Sequence, residues 1–390
     1  MLSEIVLWTA LGLLAWVYAG YPALVAVVGR LAPWRSEPSG PLPSLSVAIA
    51  VHNEEAAIAE RVANVLAPEI AGGVRIVEVF VGCDGSSDGT DRVAARLAVE
   101  EPRLHVLVLP RRGQTATQHA MIEAATGDAV VLSDAETRFE PGCLARLAEA
   151  FRDPRVGAAT GRLEWRNEEA TATSSNEGLY WRYERRIREL ESRAGFLTAV
   201  TGAMLAVRRS SYRSVPPSAS MDHLLPLYVR EKGGEVVYVP GAVATDRPIS
   251  GLREQFRNRS RTASRGIRAN LSMAGRLAPW RHPRAALSIW SHKLLRWATP
   301  WLILAVLAAG LIEASRGSRA AAIVIAVLAV GALAAAVGQL LASSGRRPPR
   351  LLAFFRAFAI VNVAFARAWV DVFSGRRIEA WRGVEWERPG

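Results

Sequence analysis

The 390-residue sequence predicts an α/β domain on a parallel sheet with helices on both faces, set between membrane-spanning helices. Three observations predict it. Short apolar runs of strand length alternate with segments of helical period from Leu45 onward. Apolar residues pool toward the two ends, in Met1–Gly29 and Leu294–Phe373. Polar, largely acidic residues follow the first, second and fourth strand-like runs, which is where parallel sheets bind ligands. Half of the residues are apolar yet 22% are charged, too apolar for a disordered chain and too charged for one wholly in lipid. Cys83 and Cys143 are the only cysteines, which excludes a disulfide-built fold, and neither has zinc-ligand spacing. The net charge of +12 suits anionic membrane lipids or a phosphorylated substrate. Nucleic acid is not an expected partner, because the basic residues adjoin apolar segments and the site edge is acidic.

The first element is Ile5–Gly29, 25 residues without a charged side chain and long enough to span a bilayer. Arg30 and Arg35 follow it, so the positive-inside rule puts the N-terminus outside and residue 30 onward in the cytoplasm. Pro33, Pro38, Pro41 and Pro43 then read as a stiff linker. Strands are expected at Leu45–Val51, Val74–Gly82, His105–Leu109 and Asp128–Leu132. Helices are expected at Glu54–Leu66, Thr90–Val99, Gln118–Thr126 and Leu224–Glu231. Gly266–His292 mixes Arg with Leu, Ile and Trp, as amphipathic helices at a membrane surface do. Leu294–Ile312 and Ala320–Ala342 read as a membrane hairpin, followed by Arg346, Arg347 and Arg350 on the cytoplasmic side. Leu351–Phe373 is apolar but contains Arg356, Asn362, Arg367 and Asp371; it either lies in the interface or crosses packed on its neighbours.

Three polar clusters share the predicted sheet edge. They are His52-Asn53-Glu54-Glu55, Asp84 through Thr90, and Ser133-Asp134-Ala135-Glu136-Thr137. Each alone is explained by a turn or a helix cap, but three acidic clusters on one edge repel one another unless something cationic joins them. Asp134 and Glu136, two apart at a strand end, leave on one face and suit a hard divalent cation, Mg²⁺ or Mn²⁺. Asn53, Glu54 and Asp84 carry groups suited to a nucleobase and ribose, and the Arg111-Arg112-Gly113 turn adds positive charge for a diphosphate.

These residues resemble a known family. HNEE, VGCDGSSDGT, RRGQTATQHA, ATGDAVVLSDAET, TGAMLAVRR, MDHLLPLYVREKGGEVVYVPGAVATD and SHKLLRW occur in order, and the chain resembles the membrane-bound family 2 glycosyltransferases, distant relatives of cellulose and hyaluronan synthases. The resemblance implies a GT-A fold with a mixed, mainly parallel sheet, an inverting mechanism and a nucleotide-sugar donor, usually a UDP-sugar. It implies that Asn53, Glu54 and Asp84 hold the donor nucleotide, beside Arg112 of the basic turn, that Asp134 and Glu136 hold the metal, and that Asp222 is the catalytic base. Thr201 and Gly202 match an acceptor-side loop, and Arg259 and Arg261 are phosphate candidates. The resemblance also has departures: Gln114 stands where Lys is common, and Gln255-Phe256-Arg257-Asn258-Arg259-Ser260-Arg261 replaces the Q-x-x-R-W of processive synthases.

The expected organisation is an N-terminal transmembrane helix (1–30), a linker (31–44), the GT-A domain (45–250), amphipathic interfacial helices (251–293), a membrane hairpin (294–342) and a C-terminal helix and tail (343–390). The expected function is transfer of a sugar from a nucleotide-sugar to a lipid-linked or growing glycan acceptor, with the catalytic domain on the cytoplasmic face of the cell membrane. Its alternatives are a processive synthase working with partner subunits and a degenerate membrane-anchored binding protein.

Overall fold

The computed structural model describes residues 1–165, 172–246 and 251–376, with the side chains of 172–181 left out. The N-terminal apolar run forms helix α1 (Leu2–Leu31) with one π-helical turn at Trp16–Gly20. Pro22, which has no amide to donate, follows that turn directly. The proline segment after it is docked: the amides of Ser39 and Gly40 donate to the Arg152 carbonyl, and the amide of Trp34 donates to that of Arg193.

The expected alternation is present as β1 (Leu45–Val51), α2 (Ile58–Leu66), β2 (Ile76–Asp84), α3 (Thr90–Glu100), β3 (Leu104–Leu109), α4 (Gln114–Ala124) and β4 (Ala129–Asp134). All seven residues of β1 are buried, as an unbroken apolar run in a sheet covered on both faces must be. Helix α2 begins four residues later than expected, because Glu54 and Glu55 stay in the loop and bond to the next one. The chain continues as β5 (Arg138–Phe139), α5 (Cys143–Ala150), β6 (Val156–Trp165), α6 (Ala172–Ala194), β7 (Met204–Arg208), α7 (Met221–Glu231), β8 (Glu235–Asp246) and α8 (Leu252–Ala274).

The eight strands form one sheet in the order β3-β2-β1-β4-β7-β6-β8-β5. β3, β2, β1 and β4 are mutually parallel, whereas β7 runs antiparallel to both β4 and β6. The sheet is therefore mixed and mainly parallel. Two apolar layers cover its faces, one under α2, α3 and α5, the other under α4, α7 and α8. Burying one Leu, Ile or Val there contributes about 1.5–3 kcal/mol. Gly161 marks a register break between β6 and β8; a Cβ there would lie 2.2 Å from the Ala242 carbonyl oxygen.

Beyond α8 the chain forms α9 (Pro283–Trp297), α10 (Thr299–Ser315), α11 (Arg319–Ser343) and α12 (Arg350–Phe373). α1, α11 and α12 are long and apolar enough to cross a membrane, and α9 with α10 forms a pair bent by 61°. Pro300, which lacks an amide, sits at the start of α10 beside the bend. α12 ends against the soluble side: Trp369 Nε1 donates to the Trp297 carbonyl, and Arg268 of α8 donates to the Asp371 carbonyl.

Candidate active site

Strand register brings the polar clusters to one edge. Ala50 pairs with Asp134, and Val51 with Cys83, so the loops after β1, β2 and β4 leave the sheet together. The first two loops are cross-linked. His52 Nδ1 meets the Asp84 carbonyl at 2.9 Å, and Asn53 Oδ1 accepts from the Ser87 amide at 2.8 Å. Glu54 N donates to Thr90 Oγ1 at 2.8 Å, and Glu55 accepts from the Gly89 amide. Asn53 adopts φ +59°, a left-handed conformation that Asn tolerates because its short side chain bonds locally.

Asp84 is buried at 1% exposure, and its carboxylate accepts from the amides of Arg112 (2.7 Å) and Gly113 (3.0 Å). It thereby holds the Arg111-Arg112-Gly113 turn in place. Gly113 has φ +92°, and the Arg112 side chain is exposed. Asp84 acts here on the backbone, while the Arg112 side chain faces outward.

Glu54, Asp134, Glu136 and Asp222 meet electrostatically. Burial, then the charges of Glu136, Asp246 and Asp222, push the Asp134 carboxyl well above the usual range. Burial, then Glu136, Asp88 and Asp134, push Glu54 up to about 7. Gln114 Nε2 donates to Asp134 Oδ1 at 2.7 Å. Arg61 lies fully buried beneath, donating to Ser133 Oγ at 2.7 Å with its guanidinium 4.2 Å from the Phe139 ring centroid. Burial and the charge of Arg138 lower Arg61 to about 9, which leaves it cationic at neutral pH. Among the described residues no three His, Cys, Asp or Glu side chains converge as a closed metal cage. The donor set nonetheless fits a hard cation: buried carboxylates crowded against one another gain from a divalent ion, and Mg²⁺ or Mn²⁺ needs few protein ligands when phosphate oxygens complete its shell.

Asp222 opens α7, and its carboxylate bonds to the Ser220 hydroxyl and meets His223 Nδ1 at 3.1 Å. Burial alone would raise its pKa, but His223, the Ser220 hydrogen bond and Arg265 hold it below the usual carboxylate range. A Cβ on Gly202 would lie 3.5 Å from Asp222 Oδ2, so the missing side chain leaves the Thr201–Gly202 loop open over the carboxylate. Thr201 donates its amide to Thr160 Oγ1 at 3.2 Å and accepts from Arg188 through its hydroxyl.

Arg261 and Arg265, one turn apart on α8, both act on Asp222, and Arg261 also acts on Asp134. Arg259, two positions from Arg261, lies on a different face of that helix. Arg265 and Asp246 are not among the residues that the sequence singles out. Arg265 resembles one more charge on a basic helix, and Asp246 ends a strand whose partners come from distant segments. The signal that could have found Arg265 was its i,i+4 spacing from Arg261.

A profile described as glycosyltransferase like family 2 matches residues 43–264. An N-acetylglucosaminyltransferase of Rhizobium leguminosarum bv. viciae is 28% identical over 244 residues, 58% of this chain and 57% of that protein. One of Rhizobium sp. (strain N33) is 29% identical over 269 residues, 63% of this chain and 59% of that protein. The chain thus aligns with less than two thirds of the length of these relatives. Among solved structures, the mannosyltransferase PcManGT from Pyrobaculum calidifontis, in complex with GDP-Man and Mn²⁺, superposes with a TM-score of 0.68 at 22% identity, over 97% of this chain and all of the other. That likeness in fold covers the flanking helices as well as the α/β domain. With its profile match covering more than half of the sequence, the chain belongs to the glycosyltransferase-like family 2.

Proposed function

We propose that this protein is an inverting glycosyltransferase that moves a sugar from a nucleotide-sugar to an acceptor arriving from the membrane. The observation that carries the reading is the pairing of an ionised Asp222, facing the open Gly202 loop, with the repelling carboxylates Asp134 and Glu136. Asp222 takes the proton of the acceptor hydroxyl as that oxygen bonds to the anomeric carbon, and the nucleoside diphosphate leaves from the opposite face with the electrons of the broken bond. Ser220 and His223 fix the carboxylate's direction. Asp134 and Glu136 would hold a divalent metal, which supplies charge neutralisation on the departing diphosphate. Arg261 and Arg265 add fixed positive charge on the same side. Asn53, Glu54 and Arg112 border the nucleoside end.

The rhizobial relatives' names favour N-acetylglucosamine as the first sugar to test, carried by UDP. Apolar helices α1, α10 and α11, with Arg30, Arg35, Arg346 and Arg347 at their soluble ends, support a catalytic domain on the cytoplasmic face of the cell membrane. α12 is read as interfacial, because its end bonds to α8 and to Trp297. Asp222→Asn tests the base. Transfer should fall by about 10²–10⁴-fold while UDP binding in Mn²⁺ stays within about threefold of the parent, since loss of a base leaves donor contacts untouched. Transfer at the parent rate would refute the assignment.

A further inference from the structure

The SHKLLRW segment carries buried charges that the transfer chemistry does not use. It lies in α9 and faces α6 across a buried interface. Glu184 and Glu191 of α6 are 5% and 0% exposed. Glu184 pairs with Arg296 and lies 3.6 Å from His292 Nε2. Glu191 Oε1 accepts from the Tyr21 hydroxyl (2.5 Å) and the Ser288 hydroxyl (3.0 Å), and meets His292 Nδ1 at 2.8 Å. Both carboxylates thus have close partners without Lys293.

Lys293 is itself 9% exposed and makes no hydrogen bond or close ion pair among the described residues; Glu184, Glu191, Arg188 and Arg296 act on it only through their fields. Arg188 lies between the two glutamates on α6. It donates to the Thr201 hydroxyl, and its buried Nε has no partner among the described residues. Glu184 and Glu191 therefore stand against three basic side chains, the buried Lys293 and Arg296 and the half-buried Arg188, and burial lowers the pKa of Lys293 unless an anion joins it. Surplus buried positive charge is costly until an anion joins it. This surplus adjoins the loop that opens over Asp222, at the foot of the apolar helix α10.

We propose that Arg188 and Lys293 form a seat for a phosphate group on the acceptor, beside the loop that presents the acceptor hydroxyl to Asp222. The proposal rests on reading Thr201–Gly202 as the acceptor side. An Arg fork combined with a Lys point charge is chemistry suited to phosphate oxygens. A phosphate at the head of a lipid would reach this seat from the bilayer along α9 and α10, whereas free phosphate would reach it from water.

The test uses the full chain in neutral detergent and three probes: hexadecyl phosphate, hexadecanol and inorganic phosphate. Binding is measured by calorimetry, with UDP plus Mn²⁺ titrated separately. Hexadecyl phosphate should bind at least about tenfold more tightly than hexadecanol, the worth of one or two charge-assisted hydrogen bonds. Arg188→Gln and Lys293→Met should each remove most of that preference, Lys293→Arg should keep it, and UDP binding should be unchanged in all three. If inorganic phosphate competes as well as the alkyl phosphate, the seat stands and its ligand comes from solution. Equal binding of hexadecyl phosphate and hexadecanol by the parent protein overturns the proposal, as does parent-like preference in Arg188→Gln and Lys293→Met. Should either variant fail to fold, the parent's choice between phosphate and alcohol still decides. Failure of UDP to bind the parent would count against the transferase reading instead.

Discussion

Asp134 and Asp222 lie in one field of negative charge, yet their neighbours pull them in opposite directions. Carboxylates surround Asp134 and raise it, whereas His223, Ser220 and Arg265 lower Asp222. Glu54 belongs with Asp134. In the unfolded chain it ionises near 4.5, in the folded one near about 7. Between those values the folded state holds more protons, so stability falls as pH rises through that window. The metal-free protein should therefore lose thermal midpoint between about pH 4.5 and 7, and Glu54→Gln should flatten part of that slope. An identical slope in Glu54→Gln, followed by scanning fluorimetry, would contradict the assignment. The acidic residues were legible in the sequence because they follow strands directly. The role of Asp84 in fixing a turn was not, because its partners are backbone amides that no side-chain pattern records. Arg265 escaped notice because its partners lie about forty residues or more upstream.

Helix α8 must lie close to α7 for Arg261 and Arg265 to reach Asp222, and Gly266 permits it. A Cβ there would stand 2.5 Å from the Trp297 ring and 2.7 Å from that of His223. Gly266→Ala should cost about 1–3 kcal/mol of stability by overpacking. It should also depress kcat more than the donor KM, because it displaces the residue that orients Asp222. Thermal melts and steady-state kinetics check both, and a variant with parent kinetics would show that the α7–α8 approach does not matter for catalysis. The first four strands and the helices between them were legible as alternating periods. Strand β7 was not, since an antiparallel insertion between β4 and β6 depends on pairings far apart in sequence. The proline segment was legible as a stiff linker, but its docking onto the Arg152 and Arg193 carbonyls was not.

On the scale of the whole molecule, the two ends of the apolar assembly can be told apart. Ser3 Oγ donates to Glu313 at 2.5 Å and accepts from Arg316 at 2.8 Å, so the N-terminus and the α10–α11 turn share one side. Arg30, Arg346 and Arg347 end helices at the other side. Cys83 and Cys143 are buried, which leaves introduced cysteines as the reactive ones. In intact cells a membrane-impermeant maleimide should label Ser315→Cys and spare Ser39→Cys until the membrane is opened. Labelling in the reverse pattern would invert the proposed orientation. The long apolar helices were legible from length and composition, apart from the 61° bend that splits the segment expected as Leu294–Ile312 into α9 and α10.

Asp134 and Glu136 would hold a divalent ion that neutralises the donor diphosphate, while Asp222 serves as the base. Calorimetric titration of UDP with and without Mn²⁺ tests it most directly. The parent protein and Asp222→Asn should bind UDP at least about tenfold more tightly when Mn²⁺ is present, and Asp134→Asn should lose that gain. Equal Mn²⁺ enhancement in Asp134→Asn and the parent would contradict the account.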